Sequence, residues 1–224
     1  MQPAHPYRFK GQQLWLSPDR SIFWEEEKCL IVSDLHFGKT GHFRKSGIGV
    51  PAMVYRDDLQ RLLSLVQYFQ PRELLVVGDL FHSRENKELT LFRKWRKDLA
   101  HLSIRLVKGN HDILDEEWYR QSEIEVVPEK WEMGDFAFVH DITTAPAPGY
   151  CFSGHIHPGI RINGLGRQSV RLPCFYFGAD YAVLPAFSHF TGMASIDPGP
   201  RESVFAILPS APHKGEYGNV IQIQ

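Results

Sequence analysis

Cys29-Leu30-Ile31-Val32-Ser33-Asp34-Leu35-His36-Phe37-Gly38-Lys39 is a short apolar run that stops at an Asp and a His two residues apart. It reads as a buried strand with chemistry at its end, because four to six residues rich in Val, Ile, Leu and Phe, closed by Gly or a polar residue, are too short for a helix. Four more segments repeat the plan. Residues 73–79 end on Gly78-Asp79, residues 104–112 on Gly109-Asn110-His111-Asp112, residues 136–141 on His140-Asp141, and residues 150–157 on Gly154-His155-Ile156-His157. In open α/β sheets the loops leaving the carboxyl ends of the strands line one crevice, so groups far apart in sequence meet there.

Length and composition bound the rest. A chain of 224 residues is long enough to bury one sizeable core, and no stretch has linker composition, so a single domain over residues 1–224 is expected. A formal net charge of −1 excludes a globally basic nucleic-acid binder and leaves a local patch open. Cys29, Cys151 and Cys174 sit singly in apolar runs, as small buried residues of a reducing compartment rather than disulfide partners or thiolate ligands. The first ten residues hold no apolar stretch fit for export and no run reaches the length of a membrane span, so a soluble cytoplasmic protein without membrane contact is expected.

Between residues 7 and 33, short apolar segments punctuated by Gly11, Ser17-Pro18-Asp19 and Glu25-Glu26-Glu27 predict a run of antiparallel strands. Pro51 should open a helix, since Val54, Leu59, Leu62, Leu63, Val66 and Phe69 fall on one face at helical spacing. Leu89, Phe92, Trp95, Leu99 and Leu102 mark a second helix, with Arg93, Lys94, Arg96 and Lys97 on its solvated side, and a shorter third is expected from Asp115 to Gln121. Strand-like runs then follow at 124–127, 136–139, 150–152, 174–177, 204–208 and 220–223. Alternating strands and helices followed by strands alone predict an α/β fold of two stacked mixed β-sheets flanked by helices.

The candidate metal ligands are Asp34, His36, Asp79, Asn110, His140, His155 and His157. These are more groups than one ion takes from a protein while leaving room for substrate. If one carboxylate bridges, they divide into two sets of four with open positions for water and a phosphate oxygen. Asp79 is the natural bridge, a lone carboxylate on a strand between those bearing the others. Two divalent ions about 3.5–4 Å apart would polarise a phosphoryl group and lower the pKa of a shared water towards neutrality. Oxygen and imidazole donors suit Mn²⁺, the first expectation, with Fe or Zn as alternatives.

Asp34-Leu35-His36, Gly78-Asp79, Gly109-Asn110-His111-Asp112, His140 and Gly154-His155-Ile156-His157 resemble, in order, the five motifs of the calcineurin-like metallophosphoesterase superfamily. The resemblance implies a four-layer α/β/β/α sandwich. It places Asp34, His36 and His157 on one metal and Asn110, His140 and His155 on the other, with Asp79 shared. It makes His111 a catalytic group that stabilises transition-state charge or protonates the leaving oxygen, steadied by Asp112. Residues 33–39, Gly78-Asp79-Leu80-Phe81-His82-Ser83 and Leu184-Pro185-Ala186-Phe187-Ser188-His189-Phe190-Thr191-Gly192 further resemble the ligase-associated DNA-damage-response branch. That branch implies phosphodiester cleavage in DNA repair, beside an ATP-dependent DNA ligase, a helicase and an exonuclease.

Lys39, Arg44, Lys45 and Arg56 lie in one acid-free stretch, and Arg161, Arg167 and Arg171 in another. They would form a positive rim that draws a polyanion, or simply point into water. Lys39, Arg44 and His82 are expected to bind substrate, with a loop hydrogen bond the equal alternative for His82. His42, His101, His189 and His213 have no ligand context and read as surface or packing residues. The expected function is a dinuclear metal-dependent phosphodiesterase, a DNA nuclease of bacterial DNA repair. The alternatives are a small-nucleotide phosphodiesterase or phosphomonoesterase and, from another class, a non-catalytic scaffold.

Overall fold

The structure is a computed structural model that describes residues 3–39, 53–82, 87–143, 149–164, 166, 168–210 and 218–224. Strands β1 (His5–Phe9), β2 (Gln12–Ser17), β3 (Ser21–Trp24) and β4 (Cys29–Val32) pair antiparallel in sequence order, as expected. Lys10 and Gly11, at φ 47° and 83°, make the two-residue turn that matches the twist of the first hairpin. From β4 the sheet becomes parallel through β5 (Glu73–Val77), β6 (Ser103–Val107) and β7 (Ile124–Val127).

The connections between these parallel strands carry helices α1 (Met53–Phe69), α2 (Lys87–Asp98) and α3 (Glu116–Gln121). Side chains alternate across a strand, and the sheet uses both faces. Leu30, Val32, Leu74 and Val76 meet Leu62, Leu65, Phe92, Trp95 and Tyr119 of the helices. Cys29, Ile31, Leu75 and Val77 meet the second sheet instead. Burial on both faces is why β4 and β5 read as unbroken apolar runs.

The second sheet holds β8 (Lys130–Met133), β9 (Phe136–Val139), β10 (Tyr150–Ser153), β11 (Pro158–Asn163), β12 (Ser169–Phe177), β13 (Tyr181–Val183) and β14 (Ala194–Ser195). Their order is β14-β11-β12-β13-β10-β9-β8, with β15 (Ser203–Leu208) on β12 and β16 (Asn219–Gln222) on β15. Phe136, Phe138, Phe152, Phe175, Phe177 and Phe205 fill the space between the sheets, where burying each aromatic ring contributes about 1.5–3 kcal/mol. The three described helices all pack on the first sheet. A smaller cluster built on Ile160, Leu172, Cys174, Val183 and Val204 lines the second sheet's other face. No described helix is long and apolar enough to cross a membrane.

Two stacked mixed sheets match the expected architecture, with local differences. Helix α2 ends at Asp98, and Leu99 and Leu102 close successive tight turns onto Arg96 O and Leu99 O. Strands β8, β11, β13 and β14 and the first half of β12 are additional. Gly159, Arg161, Arg171 and Pro173 occupy one face of the β11–β12 pair and interrupt the apolar pattern a strand would otherwise show. The opening of the first helix at Pro51 lies outside the described residues.

Candidate metal centre

Pairing between the β4 and β5 chains continues past their ends. Asp34 N donates to Gly78 O at 3.1 Å, His36 N to Asp79 O at 2.8 Å and Phe37 N to Leu80 O at 2.9 Å. The same turn in both chains therefore places Asp34, His36 and Asp79 side by side. Asp34, His36, Asp79, His155 and His157 all adopt left-handed backbone, with φ between 49° and 66°. Such conformations cost about 1–3 kcal/mol each and persist where the surroundings enforce them, which is typical of functional sites. Gly78, at φ 81°, lets the rim close: a Cβ there would land on the His140 imidazole.

Two overlapping groups of donor atoms result, Asp34–His36–His157 and Asp34–Asp79–His140, each with its atoms within 4.8 Å of one another. In the first, His157 Nε2 lies 3.3 Å from Asp34 Oδ1, and the His157 ring is oriented by Nδ1 against Gly192 O at 3.2 Å. The Asp79 carboxylate stands between the groups, its Oδ2 3.8 Å from His36 Nε2 and 3.5 Å from His140 Nε2. Asn110 and His155 join on the far side: His140 Nε2 is 3.0 Å from Asn110 Oδ1 and 3.2 Å from His155 Nδ1. The two sheets are tied here by His155 N, which donates to Asp34 Oδ2 at 3.0 Å.

These atoms fit divalent cations. His140 Nε2 faces Asn110 Oδ1, His155 Nδ1 and Asp79 Oδ2 at once, and a single N–H cannot serve three acceptor directions. Among the described residues, both ring nitrogens of His36 are buried without a hydrogen-bond partner, and Asp34 Oδ1 has only His157 Nε2 at 3.3 Å. Buried acceptors without partners cost free energy that a bound cation would recover. Burial pushes the His36 imidazole down to about 3 against the pull of Asp34, leaving the neutral ring a ligand requires. Burial also opposes ionisation of Asp34, but His157, His140 and Ser33 outweigh it and hold the carboxyl below its ordinary value. Asp79 is raised, chiefly by burial, with Asp34 adding to the effect.

His111 stands at the edge of the groups. Its backbone N–H donates to Asp79 Oδ1 at 2.9 Å, and its ring lies 5.5 Å from that of His36 and 4.3 Å from that of His82. His82 therefore faces the histidine cluster. Asp112, only 1% exposed, receives Phe81 N at 3.0 Å and Gly109 N at 2.9 Å. Those bonds hold the loop that carries Asn110 and His111. Burial raises the Asp112 carboxyl to about 7 despite the two amides. Lys39 is near enough to the centre to feel Asp79 and Asp34, although burial lowers its ammonium. Arg44, with His42, Lys45 and Arg167, lies outside the described residues.

An open pocket of about 400 Å³ adjoins the second group and is lined by Asn110, His140, His155 and Lys108 among others.

Residues that sequence reasoning missed support the centre from behind. Ser33 Oγ donates to Asp34 Oδ2, and Asp141 Oδ2 is 3.9 Å from His155 Nε2. Phe187 N and Ser188 N donate to Ser33 O and Asp34 O at 2.7 and 3.3 Å. The carbonyls of this 186–188 stretch are met by buried guanidiniums: Arg20 Nη1 on Ala186 O and Ser188 O at 3.1 and 2.8 Å, and Arg61 Nη2 on Phe187 O. Arg61 is paired with Asp58 at 3.0 Å and lies 4.1 Å over the Phe187 ring.

The chain is similar to proteins of known structure. The crystal structure of the Pseudomonas putida nuclease MPE is similar at 30% identity and TM-score 0.78, over 91% of this chain and 96% of that one. YfcE, a phosphoesterase from E. coli, matches at 14% identity and TM-score 0.42, over 79% of this chain and 86% of that one, too distant to carry an argument. No curated protein matches the sequence. The family model for calcineurin-like phosphoesterases matches residues 28–173, the span that holds every candidate ligand, and the chain belongs to that family of metallophosphoesterase hydrolases.

Proposed function

We propose that this metal-dependent phosphoesterase is a phosphodiesterase that cleaves DNA, and that it serves DNA repair. The observation that carries the phosphoesterase chemistry is the pair of overlapping donor groups joined through Asp34 and Asp79, with unpartnered acceptors aimed into them. The similar protein described as a nuclease supports a nucleic acid as the substrate, and the resemblance to the DNA-damage-response branch favours DNA.

In this reading Asp34, His36 and His157 hold one cation and Asn110, His140 and His155 the other, with Asp79 between them. Once bound, the two cations would polarise the phosphoryl oxygens and lower the pKa of a water held between them. His111 sits where it can donate a proton or hydrogen bond to the departing oxygen, its loop fixed by Asp79 and Asp112. In the same reading His82, its ring 4.3 Å from that of His111, and Lys39, close enough to feel Asp79 and Asp34, bind the substrate. Imidazole and carboxylate donors suit Mn²⁺ first, with Fe and Zn as alternatives. Action in the cytoplasm beside an ATP-dependent ligase, a helicase and an exonuclease belongs to this proposal.

The test is hydrolysis of an aryl phosphodiester, an aryl phosphomonoester and single- and double-stranded DNA in parallel, with Mn²⁺ added to metal-free protein. Turnover of the diester and of DNA is expected. No turnover with any first-row divalent ion, in protein shown to be folded, refutes the reading, whereas a salt-insensitive reaction that spares DNA favours a small-nucleotide substrate.

A further inference from the structure

Strands β11 and β12 form an antiparallel pair in which Arg161 lies directly opposite Arg171. Both are exposed. Like charges directly across a pair are destabilising, so two arginines here oppose the stability of the hairpin unless an anion sits between them. Among the described residues neither arginine has an acidic partner. Arg161 Nε donates to Ser169 Oγ at 3.3 Å and Arg171 Nη1 to Met193 O at 3.3 Å, which leaves most of their donors facing outward.

Topology aims this pair at the metal centre. Residues 171, 173, 175 and 177 share one face of β12, and Phe175 and Phe177 on that face enter the core between the sheets. The arginines therefore stand on the side that overlooks the first sheet, whose strand ends carry Asp34 and Asp79. Tyr176 is level with Val183 and Val183 with Ser153, so the earlier residues of β12 run beyond the end of β10, where His155 and His157 follow. Arg171 projects about 17 Å past Ser153, taking roughly 3.4 Å for each residue of strand. The carbonyl it holds, on Met193, is next to Gly192, whose own carbonyl orients His157. Along one nucleic-acid strand that distance corresponds to a few nucleotides at about 3.4 Å each.

We propose that Arg161 and Arg171 bind the phosphate backbone of a polynucleotide strand a few residues away from the phosphate being cleaved. The guanidinium forks supply the donors, and the antiparallel register holds them side by side. The site rests on the phosphodiesterase reading above and adds to it a device that separates polymers from small diesters. A substrate with a single phosphate cannot reach it.

The experiment compares wild type with Arg161→Ala, Arg171→Ala and the double variant. Binding of a fluorescein-labelled oligonucleotide is followed by anisotropy over a range of salt concentrations, alongside hydrolysis of an aryl phosphodiester. In the double variant the oligonucleotide Kd should rise at least tenfold. The slope of log affinity against log salt should shrink by about 0.7 for each arginine removed on single strands. Aryl diester kcat/KM should stay within twofold of wild type. An unchanged Kd and slope overturns the proposal, and so does a parallel loss on both substrates, which would assign Arg171 to supporting the Met193 loop. Arg171→Lys reads the same slope with the charge retained, and should keep it while losing part of the affinity. Wild-type protein that fails to turn over the aryl diester refutes the phosphodiesterase reading, whereas protein that turns it over without binding the oligonucleotide refutes only the arginine site.

Discussion

Replacing Arg61 by methionine keeps the packing of a long side chain in α1 and removes its charge and donors. Asp58, its partner at 3.0 Å, has a side chain only 6% exposed, and Arg61 itself is 11% exposed, so solvent cannot take over the lost interaction. Breaking a buried ion pair from one side costs about 3–5 kcal/mol, and the lower end applies here because Ser188 and Arg20 still act on Asp58. The donor lost to Phe187 O adds about 1–3 kcal/mol, part of which overlaps with the first cost because both depend on one guanidinium. A total of about 4 kcal/mol is expected, and at about 2–4 °C for each kcal/mol in a chain of this size the melting temperature falls by about 8–16 °C. Urea denaturation with a double-mutant cycle is the assay. In an Asp58→Asn background the same substitution should cost about 1–3 kcal/mol less, since no carboxylate is then stranded. A cost below about 1 kcal/mol in the wild-type background, or additivity within about 0.5 kcal/mol, refutes the reasoning.

Asp58 also sets a pH dependence. Burial raises its carboxyl above the ordinary value, with Arg61, Ser188 and Arg20 pulling the other way, so the folded state holds the proton more tightly than the unfolded one. The charged form therefore costs stability above the folded pKa, and wild type should gain stability over Asp58→Asn as pH falls through that pKa towards about 4, while the opposite trend in urea midpoints would contradict it. Gly78→Ala places a methyl group on the His140 ring at a left-handed backbone position, and should weaken Mn²⁺ binding more than tenfold by titration calorimetry while destabilising the fold. Asp79→Ala should lose metal and activity together. His111→Ala should retain both ions by elemental analysis and lose about 10²–10⁴ in rate; metal loss there would overturn its assignment. Chelation should lower the melting temperature by about 5–10 °C for each ion held at about a hundred times its Kd, with recovery on adding Mn²⁺.

The parts of the fold legible in sequence are those where one physical rule acts alone. Strands β4, β9 and β10 throughout, and β5 after Glu73, are buried, so their apolar runs are continuous and the polar residue that follows marks where each meets the rim. The β11–β12 hairpin is hidden because its inner face leaves the core and carries charge, and β13 because three residues are too few to show a period. At the centre, side chains with distinctive chemistry declare themselves, and the structure brings Asp34, His36, Asp79, Asn110, His140, His155 and His157 to one rim. Asp112 shows the limit. A carboxylate beside His111 reads as the group that steadies it, and nothing local reveals that it receives the amides of Phe81 and Gly109. Arg20 and Arg61 are invisible for a related reason: their acceptors are main-chain carbonyls 166, 168 and 126 residues away, and a carbonyl has no identity in sequence.

The first donor group takes Asp34 and His36 from one sheet and His157 from the other. A cation seated among them would rivet two layers otherwise joined by greasy side chains and a few hydrogen bonds at this rim. Occupancy would then register far from the chemistry, as slower amide exchange along the seam between the layers. An inhibitor that strips the ion would unfasten the sandwich as well as silence it.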